Sequence, residues 1–358
     1  MQIPMNVRFS LLASAALFPL LMAAAPAQET SGPVVSSSIG TINLPVTVVD
    51  DHGNPVKNLT TADLTVTDSD VKQTIESFGP DPHHQLTFGI IAQAGDSLHA
   101  ELGDERLATV HFIDHLLPGE SDRGFVVQYN TEVDLLTDPT STSNTLHDGA
   151  NQIGSPQFGG SGSGNANGGG TLYDAIYLAA REVIAKEPGR HVLILFTDGV
   201  DQGSKESIDD AISAAQNANA AIFAIYFKSE GAPSSNPERG TGHHGGMGYP
   251  GGGYPGTGGY PGGGGGHHGQ PREERSHVDG KSILEQLCNA TGGYMVEGKR
   301  DKADESYDKL LALLQHPYLI TWKPDAKTAD LAFHRLALTT DKKDVWAIMQ
   351  TGLTTGAQ

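Results

Sequence analysis

The chain is short of cysteine, of aromatic residues and of positive charge, and each shortage closes off a class of explanation. Cys288 is the sole cysteine in 358 residues. An internal disulfide is therefore excluded, and stability must come from a packed core. Cys288 falls in ILEQLCNATGG, at the end of an expected helix. A buried small apolar residue and a reactive thiol are both open readings, and the apolar setting favours the first. Lys and Arg number 23 against 42 Asp and Glu, for a formal net charge of −19. Phosphate recognition needs clustered basic side chains, so nucleic acid is disfavoured as a partner. Net charge otherwise speaks to solubility rather than to fold.

Other absences concern membranes and catalysis. After residue 27 no apolar run reaches the roughly 20 residues that a spanning helix needs. No Gly-x-Ser-x-Gly elbow and no His-Glu-x-x-His pair occurs. GSGSGNANGGG is glycine-rich but lacks the Lys-Ser/Thr of a phosphate loop.

What is present begins with MQIPMNVRFSLLASAALFPLLMAAAPAQ. Arg8, the apolar run Leu11 to Met22 and the small-residue site Ala25-Pro26-Ala27 read as a secretory signal over residues 1–27. Export to the periplasm or the medium follows as an expectation. Residues 34–80 then alternate apolar and polar, with a turn at Asp51-His52-Gly53-Asn54-Pro55, and read as short β strands.

From residue 84 to 316 strands alternate with helices. LTFGIIA, GFVVQYN, TEVDLL, HVLILFTD and AAIFAIYF are the strand candidates. Leu172, Ile176, Ala180 and Val183 recur at helical spacing, as do Ile208, Ala211, Ile212 and Ala215. Such alternation predicts an α/β domain with a mostly parallel sheet and helices on both faces. Residues 231–275 interrupt it with Gly, Pro, His and Tyr, and GYPGG recurs. That composition buries too little to offset the entropy of ordering, so a disordered insertion is expected. Two histidine pairs inside it, His243-His244 and His267-His268, would suit a transition metal such as Zn²⁺. A solvated spacer with incidental histidines is the alternative. Residues 317–358 are again strand-like, and are expected to pack with 34–80 because domain termini often lie close together.

The order of these pieces resembles the von Willebrand factor type A (VWFA) domain, and more closely the VWFA-related proteins of Acidobacteria. VTVVDDHGNPVKNLTTADLTVTDSDVKQTIESF, FGIIAQAGDS, DRGFVVQYNTEVDLLTD, GGGTLYDAI, LILFTDGVDQGS and HPYLITWKPD carry the resemblance. It implies a Rossmann-like three-layer fold with a ligand site at the C-terminal ends of the strands. It also implies a non-enzymatic, protein-binding role in adhesion or assembly. In that family a divalent cation is held by Asp-x-Ser-x-Ser on one loop, a Thr on a second and an Asp on a third. By position, the first Asp falls on Ala92, the first Ser on Ala94 and the second Ser on Asp96. The Thr falls on Thr171 and the last Asp on Asp198.

Mg²⁺, Mn²⁺ and Ca²⁺ want oxygen ligands, and a methyl group supplies none. Asp96, Thr171 and Asp198 are thus the surviving candidates of a degenerate metal site, with weak binding or none expected. Asp198 would otherwise suit an Asx turn and Thr171 a helix N-cap. Partner contacts are expected on the same loops, at Gln93, Gly95, Ser97, Gly170, Gly199 and Asp201. Two further readings stay open: a metal-independent structural scaffold of an envelope or secreted assembly, and a hydrolase with an unrecognised loop site. The partner protein itself is not legible.

Overall fold

The computed structural model describes residues 40–81, 85–94, 102–117, 121–155, 170–228, 279–298, 303–329 and 331–355. The expectations for residues 1–27, for Gly95, Asp96 and Ser97, and for the insertion 231–275 with its four histidines lie outside the described residues.

A six-stranded sheet forms the centre of the molecule. Its strands are β5 (Leu86–Gln93), β6 (Arg123–Tyr129), β7 (Val133–Thr140), β8 (Arg190–Thr197), β9 (Ala220–Tyr226) and β10 (Met295–Glu297), in the order β10-β9-β8-β5-β6-β7. Every pairing is parallel except β6 with β7. The predicted mostly parallel α/β sheet is what forms.

β5 is buried along its whole length. Its side chains divide by the two-residue strand period. Phe88, Ile90 and Ala92 join one hydrophobic cluster, and Ile91 joins the other. In β8, Val192, Ile194 and Phe196 go to the first cluster, Leu193 and Leu195 to the second. This is why both strands read as unbroken apolar runs.

α1 (Leu102–Leu116) and α6 (Ala303–Gln315) supply Phe112, Ile113, Tyr307 and Leu310 to the first cluster. α3 (Leu172–Leu178), α4 (Ile208–Asn217) and α5 (Gly280–Thr291) supply Leu172, Ala215 and Leu284 to the second. Two glycines set the register of the sheet centre. Gly89 lies beside Phe125, and Gly124 beside Phe88. A Cβ at Gly89 would come within 2.2 Å of the Phe125 ring, and one at Gly124 within 2.6 Å of the Phe88 ring. Each ring thus fills the space its neighbour leaves empty.

Local signals account for some helix ends. Ser207 and Asp210 make a reciprocal capping box at the start of α4. Gly292 ends α5 at φ +88°, a conformation that suits glycine. α3 continues as a π turn over Ala179–Val183 and a 3₁₀ turn over Ile184–Lys186. α2 (Ser143–Gln152) lies where no element was expected, and it buries only Leu146, Gly149 and Ala150.

Strands from the two chain ends pair with each other. β1 (Ile42–Asp50), β4 (Thr74–Pro80), β11 (Tyr318–Lys323) and β13 (Val345–Ile348) form one antiparallel sheet, in the order β13-β1-β11-β4. β2 (Leu64–Asp68), β3 (Val71–Lys72), β12 (Phe333–Thr340) and β14 (Gly352–Thr354) form another, in the order β14-β12-β2-β3. Leu44, Val46, Val66, Trp322 and Leu336 make their common core. The central domain leaves β4 and returns through α6 into β11. Those two strands are paired, with the Phe78 and Tyr318 rings stacked 4.8 Å apart.

Candidate functional site

The strand order reverses direction between β5 and β8. β5 connects through α1 to β6 on one side, and β8 connects through α4 to β9 on the other. In open α/β sheets the crevice at that reversal, outside the C-terminal strand ends, is where ligands bind. Here the crevice is framed by Gln93 at the end of β5 and by Thr197-Asp198 at the end of β8.

Gln93 is buried and its side chain turns inward. Its Oε1 accepts from the Thr197 hydroxyl at 2.6 Å, the Asp198 N–H at 3.0 Å and the Tyr129 hydroxyl at 3.3 Å. Thr197 Oγ1 also lies 2.6 Å from the Tyr129 oxygen and accepts from the Gly199 N–H at 2.9 Å. One buried network thus ties the ends of β5, β6 and β8 together. Burial is the main reason the Tyr129 phenol is pushed well above its ordinary pKa. The hydrogen bond with Thr197 works against that, while the charges of Asp198, Glu105 and Asp201 add to it. The crevice therefore keeps an acidic field.

Asp198 is buried, and its Oδ1 accepts from the Val200 N–H at 3.0 Å. That is the Asx turn its position suggested. Gly199 follows at φ +73°, where a Cβ would come within 2.2 Å of the Gly280 carbonyl oxygen. The first turn of α5 is thereby seated directly against the Asp198–Gly199 turn.

Thr171 is buried at the start of α3. Its N–H and its hydroxyl both donate to the Asn130 carbonyl, at 2.8 and 3.3 Å. It occupies the N-cap position but makes no side-chain cap bond. Asp201 does that work from the neighbouring loop. Its Oδ1 accepts from the Tyr173 N–H at 3.2 Å and from the Ser204 hydroxyl at 2.5 Å. Ser204 Oγ accepts from the Asp174 N–H at 3.1 Å, and Asp174 Oδ1 accepts from the N–H groups of Lys205 and Glu206. Gly170 bridges Asp201, and the Gln202 N–H donates to its carbonyl at 3.0 Å. The second and third loops are thus fused.

The structure brings Ala92, Ala94, Thr171 and Asp198 to this one rim. Ala94 N–H donates to the Tyr129 carbonyl at 2.8 Å, beside the Asn130 carbonyl that holds Thr171. Several expectations need correction. Gln93, Gly170 and Gly199 are buried and hold the loops from inside, so they do not present a contact surface. Asp201 is partly buried and spends its carboxylate on α3 and Ser204. The Thr171 hydroxyl accepts no cap bond from the first turn of α3, contrary to the N-cap role its position suggested. Sequence reasoning missed Tyr129 and Thr197. Their signal was a hydroxyl at the C-terminal end of an otherwise apolar strand.

Residues 107–237 match the family model of the von Willebrand factor type A domain. The central domain has the von Willebrand factor A fold. The match includes Thr171 and Asp198 and begins after Ala92 and Ala94. A search of curated proteins finds no match. Among solved structures, the vWF domain of the type V pili tip protein Mfa5 from Porphyromonas gingivalis is 18% identical, over 34% of this chain and 40% of that one, at a TM-score of 0.29. BatB from Bacteroides thetaiotaomicron is 16% identical, over 64% of this chain and 99% of that one, at a TM-score of 0.39. Proximal thread matrix protein 1 from the mussel byssus, with a zinc-occupied MIDAS motif, is 13% identical, over 68% of this chain and 48% of that one, at a TM-score of 0.42. The chain spans less than half the length of the Mfa5 and mussel structures. Scores this low carry no functional argument.

Proposed function

We propose that the chain is an exported protein-binding module of adhesion or assembly type, not an enzyme. Its partner docks on the loops at the C-terminal strand ends without a resident divalent cation. One observation carries this reading. Of the positions that hold the cation in the family, two offer only the methyl groups of Ala92 and Ala94. Two others, Thr171 and Asp198, keep oxygen ligands, so the loss lies at the two alanines. The residues present therefore fit a divalent cation poorly, and no step of binding is routed through one. Among the described residues, the Gln202–Gly203 tip faces solvent at the rim, flanked by exposed Lys205.

Export rests on the signal read at residues 1–27. No described helix is long and apolar enough to cross a membrane. The resemblance to the VWFA-related proteins of Acidobacteria belongs to the same reading.

The test is capture of envelope or secreted proteins on the immobilised chain, with and without EDTA, beside calorimetry with Mg²⁺, Mn²⁺ and Ca²⁺. The expected result is EDTA-indifferent capture that is lost in Gly203→Arg and Lys205→Glu, with no metal heat. EDTA-sensitive capture, together with a metal isotherm abolished by Asp198→Ala, would overturn the metal-free reading.

A further inference from the structure

A cavity of about 640 Å³ lies beside β10, at the edge of the central sheet. The turn after β1, together with α5, β10, α6 and β13, lines it. Its charge is lopsided. Asp50, Asp51, Glu285 and Glu297 line it against Lys281 and Lys309. Both ammonium groups are already engaged: Lys281 pairs with Glu297, and Lys309 donates to the His52 carbonyl. Asp50 is engaged too, accepting from the N–H groups of His52 and Asn54 and from the Asn54 amide. Asp51 and Glu285 remain exposed. The Tyr294 phenol is pushed up by burial and then by the charges of Asp50 and Glu285, so the negative field extends into the cavity.

The cavity wall also carries Trp346, 50% exposed. The only other tryptophan, Trp322, is fully buried. An exposed indole beside the exposed Glu285 carboxylate and Asp51, whose Oδ1 meets His52 Nδ1, is the chemistry that holds an organic cation. A planar guanidinium satisfies both partners at once, by stacking on the ring and pairing with carboxylate. β10 and β13 each end their sheets, and edge strands present main-chain groups to an extended segment.

We propose that this cavity binds an arginine side chain carried by an extended segment of a partner protein, with the guanidinium over Trp346 and against Asp51 and Glu285. The site shares no residue with the solvent-facing tip proposed for partner docking, and does not rest on that function. A metal ion is the rival occupant, because ligand atoms of Asp50, Asp51 and His52 lie within 4.8 Å of one another. An ion there would have to be held by Asp51 and His52, since Asp50 has the fewest lone pairs left. Asp50 is bound into its turn, and His52 Nδ1 lies 2.5 Å from Asp51 Oδ1.

The test titrates the full chain with the amidated, acetylated tripeptide Gly-Arg-Gly and with its citrulline counterpart, which keeps the shape and loses the charge. Buried Trp322 contributes a constant background, so a change in emission reports Trp346. The expected result is a saturable change with the arginine peptide that weakens about tenfold or more for citrulline and for Asp51→Asn with Glu285→Gln. It also weakens in about 0.5 M salt. The double variant replaces exposed side chains, and an unchanged melting curve confirms that it folds. Equal response to the citrulline peptide overturns the proposal. So does the absence of saturation by about 10 mM peptide. So does a saturable response to a neutral oligosaccharide that the arginine peptide does not compete. Zn²⁺ alone binding tightly and excluding the peptide assigns the cavity to a metal instead.

Discussion

A single carbonyl oxygen, Gln93 Oε1, accepts three hydrogen bonds at the end of β5. Replacing it with leucine leaves the Thr197 hydroxyl and the Asp198 N–H buried without that acceptor. Gln93→Leu should therefore cost about 2–4 kcal/mol, read as a lower urea midpoint at unchanged slope. Were Gln93 instead a partner contact, the variant would keep its stability and lose only binding. Ala92 poses the converse question. It is fully buried, on the same strand face as Phe88 and Ile90. Restoring the family pattern with Ala92→Asp and Ala94→Ser puts an unpaired carboxylate there, at a cost of several kcal/mol. We expect this variant to melt below wild type and to recover with about 10 mM Mg²⁺, while wild type does not respond. A comparable Mg²⁺ shift in wild type would mean that the native loops already bind the ion. The two alanines were legible in the sequence because the resemblance assigns a residue type to each position. Gln93, Tyr129 and Thr197 were not. A polar residue at a strand end reads as solvent-facing, and only closure of three strands turns these side chains toward one another.

Among the elements, α5 shows most clearly how packing overrules propensity. It opens on Gly280, which helix propensity alone would improve by about 1 kcal/mol on substitution with alanine. A Cβ there would come within 2.0 Å of the Asp198 carbonyl oxygen. The obstacle is backbone, so it cannot rotate aside. Gly280→Ala should therefore destabilise by about 1–3 kcal/mol, the opposite sign, measured as the shift in urea midpoint. A neutral or stabilising result would show that α5 is not seated against the Asp198–Gly199 turn. Strands were the most readable elements, because β5 and β8 are buried on both faces and show as continuous apolar runs. α2 was not readable. Its buried residues are Leu146, Gly149 and Ala150, too little apolar side chain to establish a helical period. The π turn after α3 left no signal either, since Ala179 and Ala180 pack as they would in an ordinary helix.

Over the whole molecule, the chain ends were legible as strands but not as a particular pairing. Alternation gives each strand a buried face, whereas register depends on partners at the far end of the chain. The pairing of Ile42 with Trp322 is of this kind. A second link joins the ends at Asp63. Its carboxylate meets Lys342 at 2.9 Å and accepts from the Thr60 N–H and hydroxyl at 2.8 Å each. Lys342, and then Thr60, hold the Asp63 carboxyl down at about 2 against an ordinary value of 3.8. A carboxyl depressed on folding stabilises the folded state fully above its unfolded pKa, and that contribution fades as pH falls through the folded value. Comparing wild type with Asp63→Asn isolates it. The two urea midpoints should differ at pH 6, with wild type higher. The gap should begin to narrow near pH 5 and close by about pH 1. A gap that stays constant across this range would mean that the ionised carboxylate does not contribute. The stability change would then come from the turn geometry around Thr60 rather than from the charge that links residue 63 to residue 342.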